Sequence, residues 1–124
     1  MQPNEISGYL AAAYDYMLQG EYDQCRAYVT IEILDRFPDC YEDVEFLTLM
    51  AQLCDRSTGP QEGLYYYRQR CVQLPDIPEY WFDLADCLIR CGEYAEAEES
   101  LGQYLAAGGD EALYRELAAK LPKD

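Results

Sequence analysis

The chain has 124 residues, of which 50% are apolar, so it is long enough for the core of one domain. Its 24 acidic residues outnumber 9 lysines and arginines, which gives a formal net charge of −15. A surface this acidic repels nucleic acids and anionic membranes and attracts basic partners, so we expect neither nucleic acid nor membrane as a partner. The same acidity could also serve only to keep the protein in solution.

Nothing near the N-terminus resembles an export signal. The first 17 residues have no Lys or Arg before a mildly apolar run, and no run of 18 apolar residues exists that could span a membrane. Of six cysteines, Cys25, Cys54 and Cys71 fall on apolar stripes of predicted helices, where free Cys acts as a small hydrophobe. We therefore expect reduced thiols and a cytoplasmic protein, unless the chain is a fragment of something larger.

The first predicted hairpin turns at Gly20, which can adopt the left-handed backbone that ends a helix. The helix before it carries apolar residues at three- and four-residue steps, and therefore on one face: Tyr9, Ala12, Ala13 and Tyr16. The helix after it continues with a second stripe of Cys25, Val29 and Ile33. A longer connection with Pro38 and several acidic residues follows.

The second predicted hairpin has a less regular turn, with Thr58 and Pro60 where the other turns have glycine and tyrosine. Its first helix carries a stripe of Leu47, Met50, Ala51 and Cys54. Its second helix carries Gly63, Tyr67 and Cys71, and Pro75 closes the unit.

The third predicted hairpin, residues 79–107, is the most regular, and it turns at Gly92. Its stripes are Trp81, Leu84, Ala85 and Leu88, then Tyr94, Ala97, Leu101 and Leu105. Ala97 lies 34 residues after Gly63. After Gly108 and Gly109, Asp110 can cap a last helix with an apolar face of Leu113, Tyr114, Leu117, Ala118 and Leu121.

The 34-residue period and the pattern W-x2-L-A-x2-L-x3-G-x-Y-x2-A-x3-L from Trp81 to Leu101 resemble the tetratricopeptide repeat. The resemblance extends over nearly the whole chain, with the last helix as a cap. It implies an all-α fold in which three hairpins stack into a right-handed α-α superhelix. The repeats would cover about residues 6–39, 44–77 and 78–111, the capping helix about 110–121, and residues 1–124 would form one domain.

The sequence gives no support for an enzyme, a cofactor or a metal. It has no histidine, which removes the commonest general base and most catalytic zinc sites, and it has no phosphate-binding loop. Cys87 and Cys91 are four residues apart on one predicted helix, but a closed zinc site needs two more ligands from elsewhere. Ordinary packing is the simpler interpretation of this pair.

The resemblance also implies a binding surface, since family members generally hold an extended or helical peptide in a concave groove lined by each first helix. Carried over position by position, the groove wall would consist of Leu10, Tyr14, Met17, Glu45, Thr48, Gln52, Asp55, Glu79, Phe82, Asp86 and Ile89. The apolar members are not needed to fill the hairpin stripes, so we expect them exposed at an interface. The acidic members favour a partner that carries Lys or Arg as well as apolar residues.

Two functions follow as hypotheses. One is an adaptor or chaperone-like module that captures a peptide, of which a small acidic secretion chaperone is a specific version by analogy of size and charge. The other is a structural or oligomerising module whose groove is filled by a second copy, as in a homodimer, or by the rest of a larger assembly. The positions where co-chaperones of this family carry a cationic clamp for chaperone tails hold Leu10, Tyr14, Phe82 and Asp86, so that ligand is not expected.

Overall fold

The structure, a computed structural model, describes residues 5–122 and contains only helices, turns and loops within them. Its α-helices are α1 Glu5–Leu18, α2 Tyr22–Tyr28, α3 Val44–Arg56, α4 Pro60–Gln73, α5 Pro78–Arg90, α6 Tyr94–Ala106 and α7 Glu111–Ala118. A π-helical turn, Val29–Ile33, extends α2, and a 3-10 turn, Cys40–Glu42, precedes α3. The expected all-α fold is therefore confirmed.

The helices pack as three antiparallel hairpins with one helix after them. Consecutive helices pair as α1 with α2, α3 with α4 and α5 with α6, while α1 also packs against α3 and α4 against α5. α7 packs on α6 and α5. The region predicted as a terminal helix, about 110–121, contains α7, which ends at Ala118. None of the helices within residues 5–122 combines the length and the apolar character needed to cross a membrane.

The hairpin turns depend on glycine. Gly20 and Gly92 have φ of 79° and 80°, which confirms the left-handed position predicted for both. In the second hairpin the positive φ, 115°, belongs to Gly59 rather than to Thr58. Because a β-branched residue adopts this conformation only at a cost, the turn moves by one residue, and Pro60 then opens α4.

The buried face of α1 differs from the predicted stripe. Its buried residues are Ile6, Leu10, Ala13 and Met17, whereas Tyr9, Ala12 and Tyr16 are half-buried. The expectation that Leu10 and Met17 are exposed on the groove wall is therefore wrong. Because α1 packs against α3 as well as α2, its aliphatic side chains fill the interior, and the tyrosine rings lie at the edge of the core, where their hydroxyls can reach water.

The second helix of the last hairpin also differs from its predicted stripe. Tyr94 and Leu105 are 41% and 36% exposed, while Tyr104, which was not assigned to the stripe, is buried. The Tyr104 hydroxyl accepts a hydrogen bond from the Asp110 backbone amide at 2.8 Å, so the ring connects α6 to the start of α7.

The exposure of Leu105 follows from the end of the array. Its equivalent in the second hairpin, Cys71, is buried in a cluster against which Trp81 of the next hairpin packs. In α7 the residue 34 positions after Trp81 is Arg115, and no further large apolar ring is supplied at that place. Leu113, predicted on the apolar face of α7, is likewise 45% exposed.

All six cysteines are free thiols, as predicted, and only Cys91 is not fully buried. Burial raises the pKa of Cys71 and of Cys87 to about 12, above the ordinary value of 9.0. The Cys87 thiol also donates to the Pro60 carbonyl oxygen at 3.3 Å, which ties α5 to the start of α4. These two residues therefore act as packed, protonated side chains.

The raised thiol pKa values predict a loss of stability in alkali. Between about pH 9 and pH 12 the unfolded chain has released thiol protons that the folded chain still holds, so the free energy of unfolding falls as pH rises, by about 1.4 kcal/mol per pH unit for each such thiol. Urea unfolding from pH 8 to pH 11 measures this slope. The Cys71→Val variant should show a shallower decline, and an equal slope in both proteins would contradict this origin.

A second prediction concerns Gly63, which stands where the third hairpin has Ala97. A methyl group there would meet its nearest neighbours, on Cys54 and Tyr67, at 3.5 Å, an ordinary contact distance. Gly63→Ala should therefore raise the free energy of unfolding by about 1 kcal/mol, since alanine favours the helix. The contrasting variant is Gly109→Ala, whose Cβ would lie 2.4 Å from the Tyr104 ring and should lower stability. Denaturant unfolding of both tests the prediction, which fails if Gly63→Ala destabilises.

Candidate functional site

The first helices of the hairpins, α1, α3 and α5, form one face of the array, here called the first-helix face. It carries a cleft of about 380 Å³, the first cleft, between α1, α3 and the start of α5. The residues that line it are Ser7, Leu10, Ala11, Tyr14, Val44, Glu45, Thr48 and Tyr80. Four of these, Leu10, Tyr14, Glu45 and Thr48, are residues that the sequence predicts for the groove.

The first cleft has an apolar floor and a polar edge. Leu10 is almost fully buried and forms the floor of the cleft. The Thr48 hydroxyl donates a hydrogen bond to the Val44 carbonyl oxygen at 2.9 Å. Burial raises the pKa of the half-buried Tyr14, so its hydroxyl stays protonated at neutral pH and can donate a hydrogen bond. Glu45 is exposed. The cleft can therefore accept an apolar side chain next to a polar or cationic group.

A second cleft, of about 310 Å³, lies between α5, the end of α6 and the start of α7. It contains the predicted residues Glu79 and Phe82, together with Pro78, Asp83, Tyr104, Gly108, Gly109, Asp110 and Leu113. Phe82 packs against Tyr104 with ring centroids 5.4 Å apart, so it forms a wall that is only half exposed. Asp110 caps α7 by accepting from the Leu113 amide at 3.0 Å, whereas Glu79 is exposed and free to meet a cation.

Arg70 of α4 contacts one lining residue of each cleft. Its side chain is buried, its guanidinium carbon lies 4.0 Å from the centroid of the Tyr80 ring, and its Nη1 donates to Asp83 at 3.1 Å. Its Nε has no hydrogen-bond partner within residues 5–122. Burial raises the pKa of Asp83, and Arg70 opposes that shift. Since Tyr80 lines the first cleft and Asp83 the second, one buried cation fixes a wall of each.

A second arginine engages two of the acidic residues predicted to attract a ligand. Asp55 accepts hydrogen bonds from the Tyr67 hydroxyl and from Arg90 Nη1, the latter at 3.2 Å. Asp86 lies one turn before Arg90 and accepts from its Nε at 3.3 Å. Both carboxylates therefore have a cation of the chain itself beside them, and Glu45 and Glu79 are the acidic groups left open to a partner.

A family profile described as tetratricopeptide repeat matches residues 62–121. Residues 62–121 therefore carry the tetratricopeptide repeat that the sequence predicts. No curated protein matches it in sequence.

Two solved structures share the fold. The tetratricopeptide-repeat domain of Sgt2 from Aspergillus fumigatus aligns with 96% of this chain and 78% of its own, with a TM-score of 0.72 and 20% identity. The Yersinia enterocolitica type III secretion chaperone SycD, solved in complex with a peptide of the translocator YopD, aligns with 96% of this chain and 88% of its own, with a TM-score of 0.66 and 18% identity. At these identities the likeness establishes the fold, a superhelix of stacked tetratricopeptide repeats.

The remaining predicted groove residues lie outside both clefts. Gln52 is half-buried and lines neither cleft, Met17 belongs to the interior, and Ile89 is half-buried against two core clusters. Asp55 and Asp86 each form an ion pair with Arg90.

Sequence reasoning missed Arg70, Tyr80 and Asp83, although the repeat period contains a signal for two of them. Tyr80 belongs to a series of aromatic residues 34 positions apart, with Phe46 before it and Tyr114 after it. Arg70 stands 34 positions before the buried Tyr104. The position equivalent to Arg70 in the next repeat holds a buried ring. An arginine at a buried position of this kind indicates a cation with a specific partner.

The burial of Arg70 gives a third prediction. Arg70→Ala should lower the free energy of unfolding by about 2–4 kcal/mol, because it removes the packing on Tyr80 and leaves Asp83 without its cation. The matched control is Arg68→Ala on the same helix, whose bidentate pair with Glu96 is exposed and should be worth less than about 1 kcal/mol. Urea unfolding of both variants measures the difference, and equal losses would contradict the role given to burial.

Proposed function

We propose that this chain is a non-catalytic interaction module that binds a segment of a partner protein along the first-helix face. The observation that supports this most is the pair of clefts, because the first has an apolar floor at Leu10, the second has the exposed carboxylate of Glu79, and Arg70 holds one wall of each. No catalytic role is proposed, since the chain has no histidine and its perturbed groups are packed thiols, phenols and ion pairs.

The chemistry of the two clefts specifies the bound segment. An apolar or aromatic side chain fits the first cleft, where Leu10 forms the floor and the Tyr14 ring forms a wall. A Lys or Arg fits the second cleft beside Glu79, with its aliphatic part against Phe82. The partner is therefore expected to carry an apolar residue and a basic residue close together. The chain's net charge of −15 would also accelerate the approach of a basic partner.

A chaperone-like role is the specific version of this proposal. The structure of SycD contains a bound peptide of YopD, which shows that a chain of this architecture can hold a segment of another protein. We extend that mode to this chain on the basis of its clefts, and a small acidic secretion chaperone remains one form that it could take. The cytoplasmic location expected from the sequence stays a prediction alongside it.

A fourth prediction tests the acidic groups. Glu45→Lys combined with Glu79→Lys should weaken capture of the partner by about ten-fold or more, because both carboxylates are exposed and face the clefts. These substitutions leave the half-buried Tyr14 and Phe82 in place, so they change the charge of the clefts without removing core packing. Affinity capture from the native host, followed by calorimetry with the captured partner, measures the effect.

The control for this test is Glu62→Lys combined with Glu116→Lys, which changes the net charge equally at exposed positions outside both clefts. It should bind as the wild type does. If both double variants bind equally well, the clefts are not the site. If the wild type instead forms a stable dimer that the Glu45/Glu79 variant abolishes, the face is filled by a second copy and the structural alternative is correct.

A further inference from the structure

A third cleft lies away from the first-helix face, between the second helices α4 and α6. It measures about 420 Å³, and we call it the outer trough. Its apolar lining includes Val72 on α4, Pro75 in the following loop, and Trp81 and Leu84 on α5, while α6 contributes Glu96 and Glu99. It shares no residue with the two clefts described above.

The apolar part of the trough is open and fixed in shape. Val72 is 67% exposed, whereas Leu84, which also lines the trough, is buried. The Trp81 indole nitrogen donates to the Pro75 carbonyl at 2.7 Å. Because this bond satisfies the polar atom of the indole and ties the ring to the loop, the ring offers a preformed apolar wall.

The charged residues that line the trough are Arg68, Glu96 and Glu99. Arg68 donates to Glu96 through Nε at 2.9 Å and Nη2 at 2.7 Å, so these two groups largely neutralise each other. Glu99, one turn further along α6, has no ion-pair partner within residues 5–122. An apolar surface is therefore bordered by a carboxylate that can bind a cation.

We propose that the outer trough is a second docking site, which binds a segment of another protein that places one apolar side chain between Lys or Arg residues. The apolar side chain packs between Val72 and Trp81, and a basic group reaches Glu99. A second copy of this chain is a poor occupant, because two chains of net charge −15 repel each other. This site does not depend on the function proposed for the first-helix face.

The test uses a display library of random dodecapeptides as the probe. The library is selected in parallel on the wild-type chain, on Val72→Glu and on Ile31→Glu. Ile31 is the matched control, because it is also 67% exposed but lies outside the trough. A fourth selection on the Glu45→Lys, Glu79→Lys variant removes sequences that need the first-helix face.

The expected result is a group of peptides with an apolar residue flanked by Lys or Arg. They should be retained on the wild type, the Ile31 variant and the Glu45/Glu79 variant, and bind the Val72 variant about ten-fold or more weakly. A synthetic peptide of that group should shift the fluorescence of Trp81, the single tryptophan of the chain. Glu99→Lys should weaken the same peptide without altering the fold.

Three results would overturn the proposal. Peptides that bind wild type and the Val72 variant equally, or no retained group at all, would exclude the trough as a docking site. Acidic or uncharged consensus sequences would exclude the class of partner. A Trp81 shift that depends on protein concentration without peptide, together with a sedimenting dimer that Val72→Glu abolishes, would make the occupant a second copy.

Discussion

The contact on which the candidate site depends is the buried guanidinium of Arg70 on the ring of Tyr80. A cation with 7% of its surface exposed costs free energy unless it is paired, and here an aromatic face and the Asp83 carboxylate supply the partners. Since Arg70 comes from the second hairpin and its partners from the third, the pair fixes the register between the hairpins. It also holds Tyr80 in the wall of the first cleft and Asp83 in the wall of the second, so stability and the shape of both clefts share one origin.

The few basic residues of the chain also determine which of its acidic residues are paired. The chain has few basic residues, and three of its arginines form ion pairs between helices of different hairpins or repeats: Arg68 with Glu96, Arg70 with Asp83 and Arg90 with Asp55. The acidic groups near these arginines serve the fold. Three other carboxylates, Glu45 and Glu79 on the first-helix face and Glu99 in the outer trough, form no ion pair within residues 5–122 and are the ones that we propose meet a partner. The strongly acidic composition can therefore give binding specificity only at carboxylates that no cation of the chain neutralises.

Much of the fold could be predicted from the sequence, because helical period, glycine turns and a 34-residue repeat are local or periodic signals. The groove was only partly predictable. Position-by-position transfer named Tyr14, Glu45, Thr48, Glu79 and Phe82, which line the two clefts, but it placed Leu10 and Met17 on the surface because it could not show that α1 is buried on two sides. It also missed the partners of Asp55 and Asp86, since Arg90 on α5 and Asp55 on α3 are 35 residues apart in sequence and meet only in the folded array.

Site-specific photo-cross-linking can show whether a partner lies along the first-helix face, as we propose. A benzoylphenylalanine replaces Ala11, which is exposed at the first cleft, or, in a second protein, Ala27, which is exposed on α2. In the native host we expect the partner to cross-link to position 11 and not to position 27. A partner that is captured by both proteins but cross-links only to position 27, or to neither, would contradict the account.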